Sequence, residues 1–452
     1  MPPLDLSDIQ GFILRGYNFP LARHLMLQIN DASEGKRFVG SLINGNARLP
    51  QITSSVEWGA VKPTTCLNIG FTYEGLKALG LPPDSLASFP QEFVTGIAGR
   101  ATFVGDEGEN APENWPSDYA TAQTHIVLSL YAQGSEVLET ATAELRSAFG
   151  QQNALIELGH LDATDLPESR VHFGYVDGLS QPCIEGGPQL RRPDMQPICP
   201  AGEFLLGYPS QNPDFSYPVP TPSILGRNGS FSAFRVLEQD CDAFEQFLRT
   251  EAPKIGMNEE KLAAKICGRW RSGVPLVLSP DTDSPNPPLT TEQINNFDYV
   301  PSDSSGYACP IGAHMRRNNP RGERVAGAGA HIHRIIRRAL PYGPLYDPAT
   351  PNDGIKRGLV GHFICVSLQD QFEFLMTQWV NGGTFAPGLY GTKDPMLGDN
   401  DPEDSKFVLP TANGPQIITG FARFVTTRGG AYCFLPSLTA LNYLASTEMI
   451  KA

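Results

Sequence analysis

A short apolar run followed by a capped stretch of helical period recurs in both halves of the chain. This alternation of strand and helix patterns limits the possible folds more than any other feature. The pairs are residues 24–30 with 34–43, 66–71 with 74–79, 125–131 with 136–149, 232–237 with 242–248, and 362–367 with 369–379. Strands this short, alternating with helices, favour split βαβ units and an antiparallel sheet. The sequence therefore predicts an α+β fold of two ferredoxin-like modules with peripheral helices.

A stretch rich in proline and glycine, residues 186–229, separates the two halves. Regular structure is disfavoured there because proline lacks a backbone donor and glycine favours turns. We expect an N-terminal module over residues 1–190, a connection over 191–229 and a C-terminal module over 230–452.

The charge and the lack of long apolar runs limit the partners of the chain. The formal net charge is −14, and an acidic chain is repelled by the phosphates of nucleic acids. No apolar stretch reaches membrane-spanning length, and the amino terminus lacks the pattern of a secretion signal. The eight cysteines are scattered without a CxxC pair. We therefore expect a cytoplasmic protein with reduced, buried thiols and with no nucleic-acid or membrane partner.

Residues 309–343 contain three histidines and seven arginines in an otherwise acidic chain. Such a cluster of cations needs an anionic partner. His314 follows the small-residue run at 311–313, which would let a planar group approach the backbone, and a neutral imidazole is a common axial ligand of haem iron. Arg321 and its neighbours could then meet the two haem propionates. From this segment alone, a core or surface histidine remains the alternative.

The upstream stretch VHFGYVDGLSQP, residues 171–182, holds a carboxylate between glycines. Asp177 lies between Gly174 and Gly178. Flanking glycines indicate a turn where the backbone approaches another group closely, with the acid directed at it. The alternative is an ordinary Asp-Gly turn on the surface.

Together the two stretches resemble the dye-decolourising peroxidases, a family of haem enzymes. The family's GxxDG signature stands at residues 174–178, and its SQP tripeptide follows at 180–182. Further matching blocks are a histidine at 314 followed by NPR at 319–321, and IRRALPYG at 336–343. The others are NIGFTYEGLKALGL at 68–81, QFEF at 371–374 with a tryptophan at 379 and an asparagine at 381, and DP at 394–395. These blocks spread over most of the chain in the family's order.

The resemblance implies roles for five residues around a b-type haem held mainly by the second module. His314 would bind the iron, Asp394 would accept a hydrogen bond from its far nitrogen, and Arg321 would meet a propionate. Asp177 would move a proton between the two oxygens of hydrogen peroxide, and Arg337 would stabilise the developing negative charge. Covalent attachment is excluded because the CxxCH motif is missing.

The charge-stabilising role of Arg337 has an alternative candidate next to it in the sequence. Arg337 is preferred to Arg338 because it stands four residues before Pro341, at the family's offset. Two positions further on, where some relatives carry an asparagine, this chain has Ala339. The side chain at that position is therefore apolar and cannot supply a third polar group on that side of the haem.

For the partner of the ligand histidine, Asp399 and Glu403 remain alternatives to Asp394. His331 and His333 could hold a separate metal at i, i+2 on a strand. No carboxylate or cysteine accompanies them at metal-site spacing, so we expect no zinc site there.

The resemblance implies a haem peroxidase that reduces hydrogen peroxide and oxidises aromatic, phenolic or dye-like donors. An aspartate as the acid–base group predicts highest activity at acidic pH. Tyr342 or Trp379 could relay electrons from large donors, although Trp379 fits a core position better. The rival hypotheses are a haem carrier or iron-release protein with little turnover, and a cofactor-free ferredoxin-like binding module. Self-association into a homo-oligomer and the use of manganese as a donor are left open.

Overall fold

Within the described residues, eight strands form one antiparallel sheet and two short strand pairs lie outside it. The computed structural model describes residues 3–45, 48–119, 122–150, 155–188, 198–212, 214–300, 302–322 and 330–446. The strands are β1 (Leu21–Ile29), β2 (Thr65–Phe71), β3 (Ile126–Ala132), β4 (Leu155–Thr164), β5 (Cys183–Ile184), β6 (Ile198–Cys199), β7 (Ser230–Gln239), β8 (Ile336–Tyr342), β9 (Gly358–Cys365), β10 (Lys406–Leu409), β11 (Gln416–Thr419) and β12 (Val425–Leu435). The order in the sheet is β4-β1-β3-β2-β12-β7-β9-β8.

This strand order keeps the two halves of the chain side by side. The first four strands are neighbours, the last four large strands are neighbours, and the halves join where Phe71 of β2 lies opposite Phe434 of β12. The outer strands β4 and β8 contact each other, with no ladder between them in the described residues. The sheet therefore curls toward a barrel without closing. The predicted α+β fold of two ferredoxin-like modules is confirmed, whereas the domain boundaries stay a prediction.

Thirteen α-helices accompany the sheet within the described residues. They are α1 (Gly11–Leu14), α2 (Ala32–Asn44), α3 (Tyr73–Ala78), α4 (Pro83–Leu86), α5 (Gln91–Gly99), α6 (Ala101–Val104), α7 (Ser135–Phe149), α8 (Ser223–Gly226), α9 (Cys241–Glu251), α10 (Glu259–Cys267), α11 (Thr291–Asn295), α12 (His314–Asn318) and α13 (Leu438–Ala445). Two π-helical turns, Leu368–Glu373 and Leu375–Val380, follow β9.

All five predicted strand–helix pairs are present. Side-chain caps begin several of these helices: Asp31, Thr72 and Asp240 each accept the backbone N–H three residues later, at 2.9–3.0 Å. Such caps satisfy donors that the first helical turn leaves unpaired. The fifth predicted helix, residues 369–379, is π-helical rather than α-helical.

A chain of polar side chains crosses the interior of the curled sheet. His24 Nδ1 lies 2.9 Å from Ser129 Oγ, and the same hydroxyl lies 3.0 Å from His362 Nε2. His362 Nδ1 then lies 3.0 Å from Ser232 Oγ. All four residues are buried. Because the first two belong to the N-terminal half and the last two to the C-terminal half, these hydrogen bonds tie the halves together.

The cysteines and the helix lengths bear on two further expectations. The eight cysteines all lie within the described residues and are buried thiols, as predicted. In the described part of the chain, no helix combines the length and the apolar character needed to cross a bilayer.

Candidate active site

His314 is the first residue of α12 and points one ring nitrogen at a buried carboxylate. Its Nδ1 lies 2.8 Å from Asp394 Oδ2 and 3.0 Å from Oδ1. The His314 side chain is 30% exposed, whereas that of Asp394 is fully buried. Since a carboxylate accepts hydrogen bonds, Nδ1 carries the proton and Nε2 has the lone pair available for a metal.

The Asp394 carboxylate is held from several sides. Its Oδ1 accepts the backbone N–H groups of Met396 and Leu397, each at 2.9 Å, and its Oδ2 accepts the Asn318 side chain at 2.8 Å. Burial by itself would raise the pKa of Asp394. The neighbouring His314 and the Leu397 N–H outweigh burial and hold the pKa below its usual range. The carboxylate is therefore ionised and oriented before any ligand arrives.

The two alternative partners considered for the histidine lie elsewhere. Asp399 pairs with Lys393 Nζ at 2.6 Å. Glu403 is exposed on a turn, where its backbone N–H bonds to Asp401. The DP dipeptide therefore supplies the carboxylate that meets the imidazole.

Asp177 lies on a turn, as its flanking glycines predict. Gly174 and Gly178 have φ values of 86° and 76°, in the left-handed region that favours glycine. The Asp177 backbone N–H donates to Ser169 O at 2.9 Å. Its side chain is exposed and makes no hydrogen bond within the described part of the chain. The carboxylate is thus available to a bound molecule.

The turn that carries Asp177 docks onto β8 beside Arg337. Arg337 Nη2 donates to Ser180 O at 3.1 Å. The Gln181 side chain exchanges two hydrogen bonds with the Arg337 backbone, also at 3.1 Å each. Ser180 is three residues after Asp177, so the structure brings the two predicted catalytic groups into one region.

Arg338 faces the opposite side of β8. Its Nε donates to Phe12 O at 2.6 Å inside the curled sheet. Burial lowers the pKa of Arg338 to about 10. Successive side chains of a strand point to opposite faces, which explains why the two adjacent arginines have different surroundings.

Arg321 follows α12 with a backbone conformation unusual for a side-chain-bearing residue. Its φ is 58°, and such strain persists only where the surroundings enforce it. The guanidinium lies 3.7 Å from the ring centre of Phe297, and Nη1 donates to the carbonyl oxygens of Asn295 and Phe297 at 2.9 and 2.8 Å. Burial lowers the pKa of Arg321.

Two further arginines belong to this region, and the sequence reasoning did not assign them. Arg269 donates to the carbonyl oxygens of Gly273 and Ile294. Burial, followed by the charge of Arg321, lowers the pKa of Arg269 to about 10. Burial also lowers the pKa of Arg334 to about 10, and the charges of Arg321 and Arg337 act in the same direction. The position of Arg334 in the arginine-rich stretch was a signal for it, whereas Arg269 stands among ordinary core residues.

The donor set fits a haem. Within the described residues, Arg269 and Arg321 have carbonyl partners but no carboxylate partner, so their buried charges call for an anion. The two propionates of a porphyrin would supply that charge, and a guanidinium fork matches a carboxylate. On the iron side, a neutral imidazole with its Nδ1–H fixed by a carboxylate is suited to ligate a metal.

The aromatic residues considered for electron relay and the histidines considered for a separate metal lie in different surroundings. Trp379 is fully buried, as expected of a core aromatic residue, and Tyr342 is also buried. His333 lies on a 3₁₀ turn rather than on the strand considered for it, and its ring stacks on Phe374 with 3.6 Å between ring centres. The side chain of His331 lies outside the described structure. Among described residues there is no cluster of three His, Cys, Asp or Glu that could hold a metal.

Comparisons with known proteins agree with this architecture. Residues 8–158 match the profile of the DyP dimeric alpha+beta barrel domain. A dye-decolorizing peroxidase of Mycena epipterygia is 31% identical, over 98% of this chain and 87% of the relative. The enzyme AauDyP1 of Auricularia auricula-judae is 30% identical, over 97% of this chain and 86% of the relative.

Solved structures give the same result. A fungal DyP-type peroxidase from Auricularia auricula-judae superposes with a TM-score of 0.83 at 28% identity, covering 99% of this chain and 100% of that chain. A dye-decolorizing peroxidase in complex with 2,6-dimethoxyphenol gives a TM-score of 0.84 at 28% identity, covering 98% and 100%. The fold and these matches define a peroxidase, an oxidoreductase of the haem-dependent class. The chain belongs to the dye-decolourising peroxidase family.

Proposed function

We propose that this protein binds haem b non-covalently through His314, reduces hydrogen peroxide with Asp177 and Arg337, and oxidises aromatic, phenolic or dye-like donors. The hydrogen bond between His314 and the ionised, buried Asp394 is the observation that carries the proposal. The complex of a similar enzyme with 2,6-dimethoxyphenol supports a phenol as one donor class.

On the ligand side, Asp394 makes the His314 imidazole a stronger donor. The carboxylate draws on the Nδ1 proton, which leaves more electron density on Nε2. Bound there, the haem iron supplies the redox chemistry. Arg321, Arg269 and Arg334 provide the positive region for the propionates.

On the peroxide side, the chain supplies a base and a cation. The Asp177 carboxylate takes the proton from the near oxygen of hydrogen peroxide and returns it to the far oxygen, which leaves as water. Arg337 stabilises the negative charge that develops as the O–O bond breaks. Its contact with Ser180 O holds the guanidinium in place, so little reorganisation is needed during the reaction.

Absorption spectroscopy tests the proposal. The purified protein should show a Soret band, and one equivalent of hydrogen peroxide should change the spectrum rapidly. A colourless protein, after haem has also been offered in vitro, would support the cofactor-free binding module. A Soret band that responds slowly to peroxide would support the haem carrier.

Asp177→Asn tests the acid–base role. The amide cannot take the proton, so the rate of the peroxide reaction should fall by about 10²–10⁴-fold while the Soret band of the resting protein is retained. Asp165→Asn is the matched control, because Asp165 is an exposed aspartate on the same polypeptide segment. An unchanged rate in Asp177→Asn would remove Asp177 from the mechanism. In the unaltered protein, activity toward dyes should be highest at acidic pH.

Self-association into a homo-oligomer and a cytoplasmic location are two further proposals that can be tested directly. Light scattering of the haem-loaded protein would establish whether it forms a homo-oligomer. Cell fractionation would test the cytoplasmic location, which the eight buried thiols favour.

A further inference from the structure

Asn318, the last residue of α12, contacts both members of the histidine–aspartate pair. Its Nδ2 donates to His314 O at 2.8 Å and to Asp394 Oδ2 at 2.8 Å. Nδ2 also lies 3.4 Å from His314 Nδ1. Both close partners are acceptors, so the amide must present its NH₂ group to them. Residues i and i+4 of a helix lie one above the other, which places Asn318 over the imidazole.

We propose that Asn318 is a positioning residue that limits how strongly Asp394 polarises the ligand histidine. This inference rests on the proposed haem ligation by His314. In the described residues, Asp394 Oδ2 has two side-chain donors, the imidazole Nδ1–H and the Asn318 amide. Each donor draws on the same negative charge. The Asn318 amide therefore weakens the pull of the carboxylate on the Nδ1 proton and makes Nε2 a weaker donor to the metal.

The other hydrogen bonds to the Asp394 carboxylate explain why the Asn318 contact can adjust its charge. The other oxygen, Oδ1, is occupied by the backbone N–H groups of Met396 and Leu397, which no side-chain substitution removes. Asn318 is thus the neutral side-chain donor through which the sequence can adjust the carboxylate. Its second hydrogen bond, to His314 O, fixes the amide and keeps the carboxylate oriented toward the ring.

Replacement Asn318→Leu removes the donor at similar volume. The haem iron should then be held by a more electron-rich imidazole, which stabilises the ferric state. We expect the ferric–ferrous equilibrium to move about tenfold toward ferric, a fall of about 59 mV in the one-electron reduction potential. The iron–histidine stretching band of the ferrous protein should move to higher frequency. Asn318→Ala should shift both readouts in the same direction if the leucine variant folds poorly.

Asn400→Ala is the matched control. Asn400 is a buried asparagine that donates to the Asp394 backbone oxygen at 2.8 Å, so it holds the same loop without touching the carboxylate. Its replacement should leave the reduction potential and the stretching band unchanged. A shift in Asn400→Ala as large as in Asn318→Leu would overturn the inference, because general loosening of the loop would then explain both.

The experiment separates this inference from the proposed function. A protein without a Soret band, or a haem whose spectrum shows no histidine ligand, refutes haem ligation by His314. A histidine-ligated haem whose potential and stretching band are the same in the unaltered protein, Asn318→Leu and Asn318→Ala refutes only the role of Asn318.

Discussion

A single buried carboxylate orients the candidate ligand histidine. The sequence alone left Asp394, Asp399 and Glu403 as possible partners, because their spacing from the histidine does not distinguish them. The distinction comes from a local turn: the N–H groups two and three residues after Asp394 fold back onto its Oδ1. Side-chain to backbone bonds of this kind depend on local conformation, which the DP dipeptide suggests but does not specify.

Asp394→Asn should weaken the histidine as a ligand. An amide carries no negative charge, so the Nδ1 proton is less polarised and the ferrous state is favoured. We expect a higher reduction potential and a peroxide reaction slower by about 10–100-fold, the usual range for such supporting residues. Spectroelectrochemistry and stopped-flow absorption measure the two effects.

Asp399→Asn is the control for that substitution. Asp399 pairs with Lys393 and is not in contact with the imidazole. A potential that rises equally in both variants would show that net charge in this loop, rather than the hydrogen bond to His314, sets the value.

The alternation of side chains along β8 gives two neighbouring arginines different surroundings. Arg337→Leu should slow the peroxide reaction by about 10²–10³-fold, as removal of a charge-stabilising donor does, with little change in melting temperature. Arg338→Ala should instead lower the free energy of unfolding by about 2 kcal/mol, because the Phe12 carbonyl loses its buried donor. Stopped-flow kinetics and thermal unfolding of the two variants test the division. Exchange of the two phenotypes would reverse the assignment.

Three strands were not predicted because proline or glycine interrupts the pattern of a strand in their sequences. β8 contains Pro341, which argues against a strand, yet proline is tolerated because β8 is at the edge of the sheet. β12 contains Gly429 and Gly430, where its register with β7 shifts. β4 contains Gly159, where an added Cβ would lie 2.1 Å from Asp118 O, so close packing excludes a side chain that would have marked the alternation.

By contrast, the strands followed by capped helices were predictable from local pattern. Their apolar runs are unbroken and their caps adjoin them, as at Asp31 and Asp240. The five site residues were found through their resemblance to a family rather than through periodicity. Arg269 could not be found either way, because its role depends on the nearness of Arg321, which only the folded chain creates.

The hydrogen-bonded polar side chains that join the two halves inside the curled sheet make the stability of the whole molecule depend on pH. Burial lowers the pKa of His24 to about 4, despite the nearby charge of Asp162, and burial also lowers the pKa of His362. In the unfolded chain a histidine has a pKa of about 6.5. Between about pH 6.5 and about pH 4 the unfolded state therefore binds protons that the folded state does not. The stabilisation is complete above this window and is lost as the pH falls through it.

The loss attributable to His24 should be about 3 kcal/mol across that window, from the difference between its folded and unfolded pKa values. His24→Asn removes the titrating group, so the variant should be less stable than the unaltered protein near neutral pH but should lose less stability on acidification. Urea unfolding at pH 7, 5.5 and 4.5 measures the slope. His160→Gln, at an exposed histidine of β4, should keep the slope of the unaltered protein. Parallel slopes for the unaltered protein and His24→Asn would refute the contribution of His24 to the loss of stability in acid.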